Sequence, residues 1–418
     1  MDIHTETLTT PVPKRRLLMN RNFALLWIGQ SISEFGSRIT REGIPLTANL
    51  MLGATPNEMG LLAAAGTLPV LLIGLLAGVW VDRLRRRPIL IIADISRALL
   101  LGTIPLAAVL GVLRIEQLYL VAVLEGVLTV FFEVANQSFL PTLVQREHIV
   151  EGNSKLSASN SLAEIGGPAL AGVLVQAITA PIAILFDALS FLVSALCVGF
   201  IRVREPGPTP TEERQSLRRE IGKGLALVLG NPLLRATTAA LSTRAFFGGA
   251  FATLYGLYVI RQLGIMPAIY GLLVTIGGLG ALVGALLASR IVRRFGLGAT
   301  LIGSMLLGGS MSLLVPLAGG PKILVVVLLM TAQLVGDFGM EVYLINAVSL
   351  RQSMIPDRFL GRANASANFL VGGLLTMGAL LAGLLAGMIG TQLTLLIGAS
   401  AGLVISSSWL IWSLVRQK

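Results

Sequence analysis

Charge is scarce in this chain. Of its 418 residues only 13% are Asp, Glu, Lys or Arg, where a soluble protein carries about 25%. With 54% hydrophobic residues and a mean hydropathy of +0.82, too little polar surface exists to coat a water-soluble globule. Cysteine is nearly absent. Cys197 stands alone, so no internal disulfide forms and no thiol pair is available for redox chemistry. The two histidines, His4 and His148, fall in the N-terminal tail and in a polar loop. No HExxH motif and no Ser–His pair in one membrane layer can be built from them, and no Gly-x4-Gly-Lys-Ser/Thr loop is present. These absences argue against an intramembrane enzyme and against a pump that hydrolyses ATP. They call for no cofactor and no metal. The first apolar run is expected to be a span rather than a secretory signal. Lys14, Arg15 and Arg16 resemble its charged start, but Glu34, Arg38, Arg41 and Glu42 follow and no small-residue cleavage site does.

What is present is a series of long apolar runs. Read against turn signals they give about twelve helices, roughly at 23–50, 57–81, 89–111, 117–139, 156–178, 181–201, 233–260, 267–289, 297–318, 322–348, 364–388 and 391–414. Each suffices to cross about 30 Å of hydrocarbon. The expected class is an all-α membrane protein of twelve transmembrane helices. The net charge of +11 reads as orientation rather than as a nucleic-acid surface, because the basic residues crowd into alternate loops. Arg83, Arg85 to Arg87, Arg202, Arg218, Arg219, Arg290, Arg293 and Arg294 share one side, whereas the other holds little beyond Arg114, Arg261 and Lys322. The positive-inside rule then places both termini in the cytoplasm.

The connection from 202 to 232 is the longest and is rich in proline and charge. It divides the chain into residues 1–201, with six spans, and 233–418, with six more. Its segment from about 212 to 229 fits either an amphipathic helix on the inner leaflet or a solvated linker. The halves repeat. Asn153 aligns with Asn364, Ala171-Gly172 with Ala382-Gly383 at the same offset, and Asn22 is matched with Asn231. The basic run after span 8, at Arg290, Arg293 and Arg294, echoes the run after span 2 but has Ser289 in place of Asp82. Six spans per repeat give parallel repeats, an architecture of transporters with the site near the midplane between halves.

Between spans 2 and 3 the chain reads Gly78-Val-Trp80-Val-Asp82-Arg83-Leu-Arg85-Arg86-Arg87-Pro88. With twelve spans and a charged central loop, this resembles the major facilitator superfamily over essentially the whole chain. Gly78, Asp82, Arg83, Arg86 and Arg87 fill its loop signature. The resemblance implies a conformational latch, in which Asp82 meets the positive N-terminal end of span 11 near Ala363 and Asn364. Arg83, Arg86 and Arg87 would pair with nearby acids or lipid phosphates. A plain topogenic loop is the alternative. Gly167-Pro168 with Ala171-Gly172 is similar to the core of the superfamily's antiporter motif, although Ser154 and Ala163 stand where that motif has glycine. Span 4 reads Ala122-Val-Leu-Glu125-Gly126 and lacks the arginine of many drug/proton antiporters, so their coupling scheme does not transfer. Asn22-Phe-Ala-Leu-Leu-Trp27-Ile-Gly29-Gln30, Phe35-Gly-Ser-Arg-Ile-Thr40 and Gln137-Ser-Phe-Leu-Pro141 look most like the branch of macrolide-efflux and enterobactin-export proteins.

Charges inside spans cost ~2.5–3.5 kcal/mol at a helix centre and need partners or water. Glu34, Arg38 and Glu42 form an i,i+4 ladder in span 1. Arg244 lies at similar depth in span 7 and is expected within reach of Glu34. With Glu125 and Glu164 these residues are candidates for a substrate or proton site, or for a structural ion pair. Asp94, Glu133, Asp337 and Glu341 are candidate structural or coupling acids, with Asp94 and Arg97 supporting the Asp82 loop. Asp187 is assigned to the outer surface or a gate, and Trp27, Trp80, Trp409 and Trp412 to interfacial anchoring.

The expected function is a monomeric secondary transporter in a bacterial inner membrane, in contact with lipids. It would export amphipathic, drug-like or macrolide-like small molecules, with protons as counter-substrate. An importer, or a carrier of a specific lipid, siderophore or metabolite, would share nearly every feature.

Overall fold

The computed structural model describes residues 17, 20–81, 84–145, 148–203, 205 and 226–415. Asp82 and Arg83 of the loop signature lie outside these residues, as does the linker from 206 to 225. Among the described residues there are twelve long helices and no strand. They are α1 (Arg21–Leu50), α2 (Pro56–Val81), α3 (Arg86–Val109), α4 (Ile115–Leu143), α5 (Ile149–Ile178), α6 (Ala180–Phe200), α7 (Pro232–Leu257), α8 (Pro267–Phe295), α9 (Leu297–Leu317), α10 (Lys322–Met354), α11 (Asp357–Ile389) and α12 (Thr391–Val415). Gly78 falls in the last turn of α2.

Ten of the twelve are long and apolar enough to cross a membrane. The other two are α1 and α7, the first helix of each half. Helix α1 carries Glu34, Arg38, Arg41 and Glu42; α7 carries Arg235 and Arg244 among several Thr and Ser. Helix ends also overrun the apolar runs. Helix α5 begins at Ile149, α8 continues to Phe295, α10 to Met354, and α11 starts at Asp357. Hydropathy marks the slab of hydrocarbon, whereas backbone hydrogen bonding continues into water.

Local chemistry sets the ends. The Asn20 side chain accepts from the N–H groups of Asn22 and Phe23, and Asn231 accepts from Leu233 and Leu234. Each satisfies donors that a helix start leaves orphaned. The counterpart of Asn231 is therefore Asn20. Asn22 instead ties the start of α1 to Arg202, by Nδ2 to its carbonyl (3.1 Å). Proline at the first turn of α6, α7 and α8 fits positions that need no N–H donor.

Turns after odd-numbered helices gather on one face, here the odd-turn face, and turns after even-numbered helices on the opposite, even-turn face. Helices α1 to α6 pack among themselves through α1–α6, α3–α6, α2–α4 and α1–α5. Helices α7 to α12 do so through α8–α10, α7–α11, α9–α10 and α7–α12. The two sets meet along α2–α11 and α5–α8.

Both crossings are made by glycine. A Cβ on Gly383 of α11 would stand 3.0 Å from Gly60 Cα of α2, and a Cβ on Gly172 of α5 would stand 3.0 Å from Gly271 Cα of α8. One numerical offset, 211, relates the pairs: Gly172 to Gly383, and Gly60 to Gly271. Without a hydrophobic drive between helices in lipid, such close backbone approach supplies dispersion contacts that side chains would prevent. Both crossings lie toward the odd-turn face. Further links between the sets run from midplane to that face: Thr67 Oγ1 with Thr376 Oγ1 (2.8 Å), Ala169 N to Thr275 Oγ1 (3.1 Å), and Ala268 N to Gln176 Oε1 (3.2 Å).

Candidate functional site

Arg38, in the middle of α1, is the centre of the densest charge. Its Nη2 lies 2.6 Å from Glu164 Oε2 on α5 and 3.9 Å from Glu34 Oε2 one turn back, and it donates to Asn160 Oδ1 (3.0 Å). Arg41 Nη1 stands 3.7 Å from the other oxygen of Glu164. Room for this crossing comes from Gly167, where a Cβ would overlap the Arg38 Cβ. The first glycine of the antiporter-like motif is thus the notch that lets Arg38 pass along α5. Pro168 and Gly172, the rest of that motif, lie on the crossing with α8. The guanidinium is largely covered (16% exposed), but Glu34 (42%) and Glu164 (53%) are open. Carboxylates this exposed at mid-helix require water rather than hydrocarbon.

The ladder on α1 continues across the two sets. Glu42 Oε2 accepts from Tyr270 Oη of α8 at 2.9 Å. Beside it Tyr255 and Tyr270 lie 5.8 Å apart, ring centre to ring centre.

A second polar centre is buried within the first six helices. Arg97 Nη2 pairs with Asp94 Oδ1 at 2.5 Å, and the guanidinium is sandwiched by Phe132 of α4 (4.2 Å) and Phe191 of α6 (4.1 Å). Arg97 Nη1 donates to Thr129 Oγ1 (3.4 Å), and Thr129 donates to Glu125 Oε1 (2.7 Å). The pair therefore ties α3 to α4 and α6 inside the bundle; the Asp82 loop that it was expected to support lies outside the described residues. Asp187 is likewise internal. It is 1% exposed and sits against Gly36 of α1, accepting from Ser190 Oγ (3.0 Å). Its assignment to the outer surface fails because α6 turns that side chain toward α1. Trp27 Nε1 donates to Ser159 Oγ in the α1–α5 seam (2.9 Å).

In the second set, Asp337 of α10 presses against Gly277 of α8, and Glu341 Cβ would stand 3.3 Å from a Cβ on Gly284. Arg244 interacts electrostatically with Asp337. Glu34 pairs with Arg38 as the i,i+4 ladder predicts, whereas the expected partnership of Glu34 with Arg244 is not among the ion pairs of the described residues. Glu133 lies exposed on α4. Among the described residues no group of three or more His, Cys, Asp or Glu is arranged to hold a metal ion.

At the even-turn face, both oxygens of Glu205 accept from the start of α3, from Arg86 N (2.6 Å) and Arg87 N (2.8 Å). The Arg87 guanidinium caps the other end of the joint, donating to Val198 O (3.2 Å) and Gly199 O (2.5 Å) at the end of α6. These two arginines of the loop signature thus bind α6 and its extension. A carboxylate at a helix start and a guanidinium at a helix end both complement the helix dipole.

Sequence reasoning missed Asn160, Tyr270, Glu205 and the seam of Trp27, Ser31 and Ser159. One signal was available: Asn153-Ser-Lys-Leu-Ser-Ala-Ser-Asn160-Ser-Leu-Ala-Glu164 is too polar for a helix face turned to lipid.

The family described as transmembrane secretion effector matches residues 16–417. The chain is 27% identical over 269 residues to the uncharacterized MFS-type transporter YfiS of Bacillus subtilis strain 168, covering 63% of each chain. It is 29% identical over 229 residues to the multidrug efflux pump Tap of Mycolicibacterium fortuitum, covering 53% of this chain and 54% of that one. Macrolide efflux protein A of Streptococcus pyogenes is 24% identical over 209 residues, with 50% and 51% covered. The match thus spans less than two thirds of the length of each of these relatives. Among solved structures, a point mutant of the nucleoside transporter NupG superposes with a TM-score of 0.75 at 13% identity, covering 93% of this chain and 99% of that one. A bacterial homologue of the iron transporter ferroportin in its inward-facing state superposes with a TM-score of 0.73 at 16% identity, covering 94% and 98%.

Proposed function

We infer that this chain, which belongs to the transmembrane secretion effector family of the major facilitator superfamily, exports amphipathic small molecules in exchange for protons. Residues 1–201 and 233–418 act as two bodies that rock against each other, and the Gly60–Gly383 and Gly172–Gly271 crossings are contacts that close the odd-turn face. The basic, even-turn face is cytoplasmic in this reading, and the plasma membrane of a bacterium is the site of action. The observation that carries it is the Arg38 cluster. Its exposed acids, Glu34 and Glu164, stand on α1 and α5 beside a crossing that must move, so occupancy by a cation or proton is coupled to geometry. The efflux pumps among the relatives support export, and a chain without a nucleotide-binding loop needs an ion gradient as its energy source. Asp82, Arg83, Arg86 and Arg87 remain the proposed latch of the even-turn face. Glu125, Arg244, Asp337, Glu341 and Glu133 are held as supporting charges.

Expression in an efflux-deficient bacterial host, screened against a panel of amphipathic drugs including macrolides, tests this. The chain should lower susceptibility to at least one compound, and Asp82→Asn should abolish that protection. Susceptibility identical to the empty vector across the panel would count against export of such compounds.

A further inference from the structure

Helix α7 loses its regular form where it faces the other body. It ends in a five-residue π turn, Tyr258–Gln262, with Leu263 N bonded to Tyr258 O (3.1 Å) and Ile265 N to Val259 O (3.1 Å). Gly264, at φ +65°, then reverses the chain. A π turn inserts a residue and swings the following side chains around the helix axis, and such turns recur at functional positions. Here the side chain swung outward is Arg261. Its Nη1 donates to Ala54 O (2.8 Å) and its Nη2 to Asn49 O, both belonging to the end of α1 and the turn after it. Asn49 returns a bond, from Nδ2 to Gly256 O (3.3 Å).

Asn49 O is one of the last carbonyls of α1, groups that a helix leaves without internal partners. A guanidinium placed there also meets the negative end of the helix dipole. Thus α7 of one body caps a helix of the other. The internal repeat does not account for this. The position equivalent to Arg261 in the first half, 211 residues earlier, is Leu50, an exposed apolar side chain. The glycine crossings are shared by both halves, whereas this clasp is not.

We propose that Arg261 is a positioning residue for transport, the closing element of the odd-turn face, whose bonds to Asn49 and Ala54 break each time that face opens and re-form to seal it. The proposal rests on the reading of the chain as an alternating-access transporter. Carbonyl acceptors suit a reversible clasp, because water satisfies both partners when the bodies part. The same end of the helices holds a buried apolar cluster that includes Val175, Ala180, Leu254 and Tyr255, which opening of that face would expose to water.

Maleimide labelling tests it. In a Cys197→Ser background, Val175→Cys places the single thiol at a position 5% exposed, within the buried cluster of the same end. With Arg261 intact it should label slowly. Arg261→Ala should label about tenfold faster, the loss of two hydrogen bonds from a charged donor being enough for that factor. Arg261→Lys, which keeps the charge but not the fork, should fall between. A thiol at exposed Val112, in the turn after α3, should label equally in all three. Asn49→Ala, which removes only the returning bond, serves as the second variant should Arg261→Ala not fold, and should label faster than the parent. Equal rates at position 175 in parent and variants would overturn the clasp. Flux measured on the same proteins separates the two readings. Faster labelling with no transport by the parent would uphold the clasp and sink the transporter reading; unchanged labelling with an active parent would sink the clasp alone.

Discussion

Gly172 and Gly271 meet backbone against backbone, each so close that an added Cβ would stand 3.0 Å from the Cα of the other. A crossing of this kind admits no side chain. Gly172→Val should therefore weaken the contact between the two bodies, with overpacking costing about 1–3 kcal/mol, and should reduce transport by about an order of magnitude. Gly102→Ala on α3, where nothing lies within 4 Å of a new Cβ, is the matched control and should transport normally. Flux in proteoliposomes and thermal unfolding in detergent check this for both variants; equal behaviour would remove the crossing from the mechanism.

Thr179 joins α5 to α6 at φ 101°, whereas its counterpart 211 residues later, Gly390, joins α11 to α12 at φ 89°. The region is costly for a residue with a branched Cβ, by roughly 1–3 kcal/mol. Thr179→Gly should raise the unfolding temperature, and Gly390→Thr should lower it. A fall in stability on Thr179→Gly would mean that the hydroxyl or methyl makes a compensating contact.

The Asp94–Arg97 pair is nearly inaccessible, at 0% and 3% exposed. Removing one partner leaves an uncompensated buried charge, a loss of about 3–5 kcal/mol. Asp94→Asn or Arg97→Met alone should therefore sharply lower expression and melting temperature, while the double variant should recover part of the loss. Melting curves of the three proteins decide it. Single variants with normal stability but no transport would instead make the pair part of the transport site.

Much of this was written in the sequence, for identifiable reasons. The apolar runs fixed helix number, because the bilayer sets a length that few other environments demand. The Asn153–Asn364 offset located the repeat, and the same offset leads to Gly60 and Gly271 once Gly172 is seen to need a partner. What stayed hidden was which faces meet. Glu34 was expected to reach Arg244 because both sit at similar depth, but depth fixes only one coordinate, and the notch at Gly167 brings Glu164 to Arg38 instead. Asp187 sits in the outer part of α6, yet Gly36 on α1 provides the small-residue surface that buries it. The partners of Arg86 and Arg87 were missed because Glu205 is distant in sequence and becomes a cap only when α6 ends beside α3.

Arg38 is held chiefly by Glu164, so Glu164→Gln should free the guanidinium without creating a clash. Transport should fall at least tenfold at unchanged expression, as a charge-assisted pair is lost from a wet site. Gly167→Ala should have a similar effect by displacing Arg38 itself. Loss of transport on Gly167→Ala with Glu164→Gln fully active would show that packing, not charge, is what the site requires.

Flux in proteoliposomes with an acidic lumen addresses proton-coupled export most directly. The purified chain should accumulate a compound to which it confers resistance, inward and against that compound's own gradient. The lumen should become less acidic as the compound enters, and collapsing the pH difference with an ionophore should stop accumulation. Accumulation that ignores the pH difference, or that moves in the same direction as protons, would contradict the account.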